Sequence, residues 1–132
     1  MNVTEPHLIE FQKIGEPITG YISVFEFEKE IPFPVLRSFW TYYTPESIVR
    51  GRHAHKLNEQ ILIAVAGQIT VNTERRNGIL EVFRLNNPNV GLYIPPFTWT
   101  TMQYSHNAVQ LVLCSKLYDE TEYIRNYEVF KI

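Results

Sequence analysis

The sequence predicts an all-β fold, and three observations predict it. Apolar residues recur with a period of two or in short runs. No helical period persists before residue 115. Gly, Pro or Asn separates one run from the next. The strands expected in order are Tyr21–Phe27, Val35–Tyr43, Gln60–Val65, Gln68–Thr73, Leu80–Leu85, Val90–Ile94, Trp99–Tyr104 and Val109–Ser115. Each is rich in β-branched and aromatic residues, which suit a pleated, half-buried surface. Asn77-Gly78 marks a hairpin because both positions tolerate positive φ. Ala66-Gly67 marks a second tight turn. Pro32 and Pro34 precede one strand and Pro95-Pro96 follows another, as expected of residues that cannot donate to a ladder. The second pair is expected to bend the chain and turn Trp99 inward. The one helix candidate is Asp119–Asn126, with Asp119 as its cap. Many short strands with frequent turns make a sandwich or small barrel, of which a jelly roll is one closure.

The 132 residues fit a single domain, 1–132. A composition of 45% hydrophobic and 20% charged residues belongs to a folded chain, not a disordered one. The net charge is −2, and the densest basic cluster is Arg75-Arg76 beside Glu74. A nucleic-acid partner would require a basic stripe, so none is expected. A few arginines around one phosphate-bearing small molecule fit this balance. The N-terminus has neither a basic nor an apolar leader, and no apolar stretch approaches a bilayer span. The expectation is a cytoplasmic protein with no membrane contact. Cys114 is the only cysteine and lies in an apolar run, so it reads as a small buried hydrophobe. His7 and His106 are expected at the surface.

The residues suited to chemistry concentrate between Arg50 and Gln60. On a strand, His53 and His55 point to one face. Glu59 follows, then Gly67, and this order resembles the first motif of cupins, whose metal-binding members use the two His and the Glu as ligands. The second such motif supplies a further His after a Pro-x-Gly turn. Here Phe97 stands at the Gly position and Thr100 at the His position. No third imidazole remains, and no metal or other cofactor is expected. Without a metal, a same-face histidine pair suits proton transfer near neutral pH. Two adjacent rings push each other's pKa values apart, giving a base and a donating or orienting group. The sequence does not say which is which. Arg50, at the strand's mouth, and Arg37, opening an aromatic strand, are candidate phosphate ligands. Arg52 alternates with His53 and is expected to point away. Trp40 and Trp99 are candidates for lining a sugar or base.

Four segments together resemble a known family. They are Ile31-Pro32-Phe33 with Arg37, Arg50-Gly51-Arg52-His53-Ala54-His55-Lys56 through Glu59-Gln60, Val90 to Pro96 with Trp99, and Tyr118-Asp119-Glu120-Thr121-Glu122-Tyr123-Ile124-Arg125-Asn126-Tyr127. The chain resembles the bacterial sugar 3,4-ketoisomerases of the WxcM-like cupin group, which act on dTDP-4-keto-6-deoxy-D-glucose. The resemblance implies a cupin-type double-stranded β-helix (jelly roll) with a short C-terminal helical turn. It implies a homodimer with exchanged N-terminal strands. It also implies metal-free transfer of the keto group from C4 to C3, supplying 3-amino sugars for surface polysaccharides such as O-antigen or S-layer glycans. Carried over, His53 and His55 are the acid/base pair, Arg50 and Gln60 contact substrate, and Trp99 lines the pocket. Two positions depart from the pattern. Thr19 stands where many relatives have Arg, and Thr100 where many have His. Both lie near the reacting sugar in the family, and the product's C4 configuration stays open. A metal-dependent cupin enzyme, a 3,5-epimerase and a non-catalytic nucleotide-sugar-binding module remain as alternatives.

Overall fold

A computed structural model describes residues 5–132. Two five-stranded antiparallel sheets face each other. The first has the order β1-β9-β6-β11-β4, built from β1 (His7–Glu10), β9 (Val90–Ile94), β6 (Gln60–Ala66), β11 (Val109–Cys114) and β4 (Arg37–Tyr42). The second has the order β12-β5-β10-β7-β8, built from β12 (Tyr123–Ile124), β5 (Arg50–His55), β10 (Thr98–Tyr104), β7 (Ile69–Arg75) and β8 (Leu80–Leu85). A separate hairpin pairs β2 (Gln12–Glu16) with β3 (Gly20–Val24). This is the all-β jelly-roll arrangement expected from the sequence. No helix among the described residues is long and apolar enough to cross a membrane.

Alternation decides which side chains fill the space between the sheets. Along β10, Thr98, Thr100, Met102 and Tyr104 are buried, while the residues between them face outward. Along β7, Ile69, Val71 and Thr73 are buried in the same way. These meet Leu62, Ala64, Leu92, Ile94, Val112 and Cys114 from the first sheet. The outer face of the first sheet is also covered. Phe11, Ile31 and Phe33 from the N-terminal segment pack there on Ile61, Ile63, Tyr93 and Leu113. Behind the second sheet a third cluster joins Ala54, Ile124 and Phe130, with Trp99 packed against it.

Every expected strand is present, several of them shortened at an end. Tyr21–Phe27 stops at Val24, and Val35–Tyr43 narrows to Arg37–Tyr42. Asn77-Gly78 closes the β7–β8 hairpin, with the Gly78 N–H donating to the Arg75 carbonyl at 2.9 Å. Ala66-Gly67 turns the chain from one sheet into the other. The expected helix Asp119–Asn126 is a correction. Asp119 does cap a turn, accepting from the Thr121 N–H, but only a 3-10 turn, Glu120–Glu122, follows. Tyr123 and Ile124 then pair with His55 and Ala54 as β12. The helix proper is α1 (Tyr127–Phe130), capped by Asn126. Pairing to the free edge of β5 outweighs the weak local helical preference of Thr121-Glu122-Tyr123-Ile124.

A bulge shapes β5. Thr100 stands opposite His53 and Thr101 opposite Gly51, leaving Arg52 unopposed. Gly51 (φ 89°) and Arg52 (φ 61°) both take left-handed conformations there.

Candidate active site

The edge strand β4 of the first sheet and β5 of the second, which only the two-residue β12 separates from the edge, flank the mouth of the fold. A cavity of about 80 Å³ between them is lined by Phe39, Thr41, Arg50, His53, Gln60 and Tyr104, among others. Larger grooves lie elsewhere and hold neither histidine. One of about 460 Å³ runs beneath the β2–β3 hairpin, and one of about 540 Å³ lies on the outer face of the second sheet. The small cavity is the candidate site because it holds His53 and Tyr104, two groups whose pKa values burial shifts, beside Arg50.

The histidines stand edge to face, with ring centroids 5.0 Å apart. His53 Nδ1 lies 3.1 Å from the Gly51 carbonyl, which accepts only from an Nδ1–H. His55 Nδ1 lies 2.7 Å from Glu122 Oε1. In both neutral rings the hydrogen therefore sits on Nδ1 and Nε2 carries the lone pair. His55 is 4% exposed, and its Nε2 is buried with no hydrogen-bond partner. A buried polar atom without a partner is costly, and at a site it marks where a ligand atom belongs. The Tyr123 ring packs on both imidazoles, at 5.1 and 4.3 Å between centroids, and the Arg125 guanidinium lies 4.3 Å over the Tyr123 ring.

Electrostatics keep the pair neutral. Burial, and then the neighbouring His55, push His53 down to about 4. Burial also lowers His55, against the opposing pull of the Glu122 carboxylate. Burial works against ionisation of Glu122, but the backbone N–H groups of Asn58 and Leu57 and the His55 ring overcome it and hold its pKa low. Burial raises the Tyr104 hydroxyl to about 12, so it stays a phenol beside Arg50.

The structure brings together most of the residues the sequence singled out. Arg50, His53 and Gln60 line the cavity, and Thr100 is buried directly across from His53. Arg37 lies at the His55 end, with its guanidinium near Tyr118 and 3.5 Å from Cys114 Sγ. Cys114 is buried, as expected. Arg52 is exposed on the outer side.

Three residues do not reach the cavity of their own chain. Trp99 neighbours Thr100, and alternation sends it to the other face of β10, against Tyr127 and Phe130 at 5.2 and 5.6 Å. The Pro95-Pro96 bend does not turn it inward. Trp40 neighbours Phe39 and for the same reason faces outward, 62% exposed. Thr19 sits in the turn of the β2–β3 hairpin.

Glu59, the carboxylate of the first motif, also turns elsewhere. It accepts the Tyr93 hydroxyl at 2.6 Å. Among the described residues no three His, Cys, Asp or Glu side chains converge on a metal position. The donor set around the histidines therefore does not fit a metal. Sequence reasoning missed Glu122 and Tyr123 as site residues, although both lie in the C-terminal motif quoted for the resemblance. It also missed Phe39, Thr41 and Tyr104.

Known proteins resemble this chain over nearly its whole length. The family described as FdtA, WxcM-like, C-terminal matches residues 4–132. The TDP-4-oxo-6-deoxy-alpha-D-glucose-3,4-oxoisomerase of Aneurinibacillus thermoaerophilus is 40% identical over 128 residues, covering 96% of this chain and 91% of its own. The sugar 3,4-ketoisomerase QdtA of Thermoanaerobacterium thermosaccharolyticum, solved with TDP, superposes with a TM-score of 0.90 at 35% identity, covering 96% of this chain and 91% of QdtA. A single-residue variant of that enzyme, solved with TDP-4-keto-6-deoxyglucose, superposes at 0.91 with 34% identity, covering 99% and 94% of the two chains.

Proposed function

The chain belongs to the WxcM-like FdtA family of sugar 3,4-ketoisomerases, and from that membership we propose how its own residues carry the reaction. The enzyme moves a keto group from C4 to C3 of a nucleotide-linked deoxysugar. The substrate we infer is TDP-4-keto-6-deoxyglucose, the molecule bound in the QdtA variant.

Two protons must move. The carbon-bound proton leaves C3 and arrives at C4, and the hydroxyl proton leaves O3 and arrives at O4. His53, neutral and lining the cavity, takes the C3 proton on Nε2 and leaves an enediolate. It then returns the same proton to C4. His55 accepts the O3 proton on its free Nε2 and delivers it to O4. Each ring is restored, and no electrons leave the substrate. Arg50 stands beside His53 to stabilise the developing oxyanion or a phosphate. Gln60, on the facing sheet, belongs to the wall opposite, and Thr100 stands beside His53 on β10. The cavity is smaller than a usual ligand site, so it receives the reacting end of the sugar while the nucleotide lies outside.

The observation that carries this reading is the matched pair of Nδ1 hydrogen bonds, which leaves both Nε2 atoms free. Incubation with TDP-4-keto-6-deoxyglucose should give the 3-keto isomer by NMR, and the same spectrum reads the C4 configuration. Deuterium from solvent at C5, or no conversion, would overturn the reading in favour of an epimerase or a binding module.

We further propose that residues 1–132 act as one domain in a homodimer with exchanged N-terminal hairpins, in the cytoplasm where nucleotide sugars are made. The β2–β3 hairpin supports this. Its residues are exposed along most of their length, including Ile14, Ile18 and Ile22. An unburied apolar hairpin seeks a partner. Exchange is also the route by which Thr19, in the hairpin turn, reaches a cavity.

A further inference from the structure

Glu122 lies 67 residues from His55 in sequence, yet its carboxylate reaches the ring at 2.7 Å. Its two oxygens do different work. Oε2 accepts the backbone N–H groups of Leu57 and Asn58 at 2.7 and 2.8 Å. Oε1 is left to accept from His55 Nδ1. The segment that carries Glu122 is itself fixed. The Lys56 N–H donates to the Glu122 carbonyl at 3.0 Å, Lys56 Nζ donates to the Thr121 carbonyl, and Tyr123 pairs with His55 as part of β12. The receiving loop is fixed as well. Asn58 is almost wholly buried, and its Oδ1 accepts the Lys116 N–H at 3.1 Å.

We propose that Glu122 is a positioning residue of the reaction, locking His55 in the tautomer with its hydrogen on Nδ1 and its lone pair on Nε2. The inference rests on the proposed relay role of His55 and deepens it. A carboxylate is an acceptor only, so it accepts His55 in one tautomer and refuses the other. Two backbone donors on Oε2 prevent the carboxylate from rotating or taking up a proton. His53 meets the Gly51 carbonyl in the same sense, since a carbonyl too only accepts.

Glu122→Gln tests this sharply. The amide must turn its oxygen toward the two backbone N–H groups, because its NH₂ meets donors there. The NH₂ then faces His55 Nδ1 and donates to it. His55 is forced into the opposite tautomer, with hydrogen on Nε2, and cannot accept the O3 proton. By the precedent of a buried triad aspartate changed to asparagine, kcat should fall about 10²–10⁴-fold. KM should change less than threefold, because Glu122 does not touch the sugar in this arrangement. Glu122→Asp keeps an acceptor-only group and should recover most of kcat. Long-range ¹H–¹⁵N spectra of the native protein should show His55 Nε2 without hydrogen, and those of the Gln variant should show the reverse.

Three results would overturn the inference. One is a hydrogen on His55 Nε2 in the native protein, which needs no variant to fold. Another is a Gln variant within threefold of native kcat. The third is loss of kcat with an unchanged tautomer. The relay role is tested separately by His55→Asn. If that variant keeps full activity, the role assigned to His55 fails while the tautomer assignment can still stand.

Discussion

Lowering the pH should show His53 taking up its proton well below the ordinary imidazole range. Its ring is driven to about 4 by burial and by His55, with Arg125 adding to the effect and Glu122 and the Gly51 carbonyl opposing it. In the unfolded chain the same ring titrates near 6.5. Between those two values the unfolded state binds the proton and the folded state does not. Folding stability from this group is therefore complete above pH 6.5 and is lost as pH falls toward 4. The gap amounts to roughly 3 kcal/mol in full, of which about 2.5 kcal/mol should be gone by pH 4.5. Denaturant unfolding at pH 7 and pH 4.5 measures the loss, and His53→Gln should show a pH dependence shallower by about that amount. The same ring should titrate by NMR near 4. The acid limb of kcat/KM, which reports the free enzyme, should fall in the same region and not near 6.5. A His53 that protonates near 6.5, or a variant with an unchanged pH slope, would refute the argument that this ring is held neutral by its site.

Two further outcomes test the frame around the histidines. Gly51→Ala places a Cβ 2.8 Å from the Thr100 carbonyl oxygen at a φ of +89°, so it should cost about 1–3 kcal/mol and reduce turnover by misplacing His53, read by thermal melting and the NMR assay. Phe130→Ala empties a fully buried site behind Ala54 and should lower stability by about 3–5 kcal/mol, seen as a fall of roughly 10–20 °C in Tm.

The strands were legible because alternation is a local signal. Val109 to Cys114 and Trp99 to Tyr104 announce themselves in a few residues. β1 and β2 were not, since His-Leu-Ile-Glu and Gln-Lys-Ile-Gly-Glu are short, half polar and largely exposed. β12 has two residues and exists only because β5 offers an edge. His53 and His55 were legible as a same-face pair. Trp99 was misplaced because its chemistry outweighed its parity with Thr100. Glu122 was invisible as a partner of His55, since nothing local links positions 67 apart. Phe97 shows the reverse case. The sequence marked it as standing at a glycine position, and it does take a left-handed φ of 58°. Its N–H donates to the His55 carbonyl at 2.7 Å and its ring lies under the Arg76 guanidinium, which together offset the strain of about 1–2 kcal/mol.

The unopposed Arg52 has a consequence for how strand register decides what the chamber contains. In a regular strand Arg50 and His53, three residues apart, would stand on opposite walls. Arg50 pairs with Met102 and His53 with Thr100, and both of those partners point inward. One surplus residue thus brings a cation and a base to the same chamber. Pairing Arg52 into a regular ladder without the bulge would leave both imidazoles and their spacing intact while exiling the Arg50 guanidinium to the far side. Deleting Arg52 would instead leave Arg50 and His53 two apart and on one wall. The composition of the candidate site is in this respect a matter of counting: the chamber keeps its cation beside its base only while one residue between them stays out of the ladder or is absent.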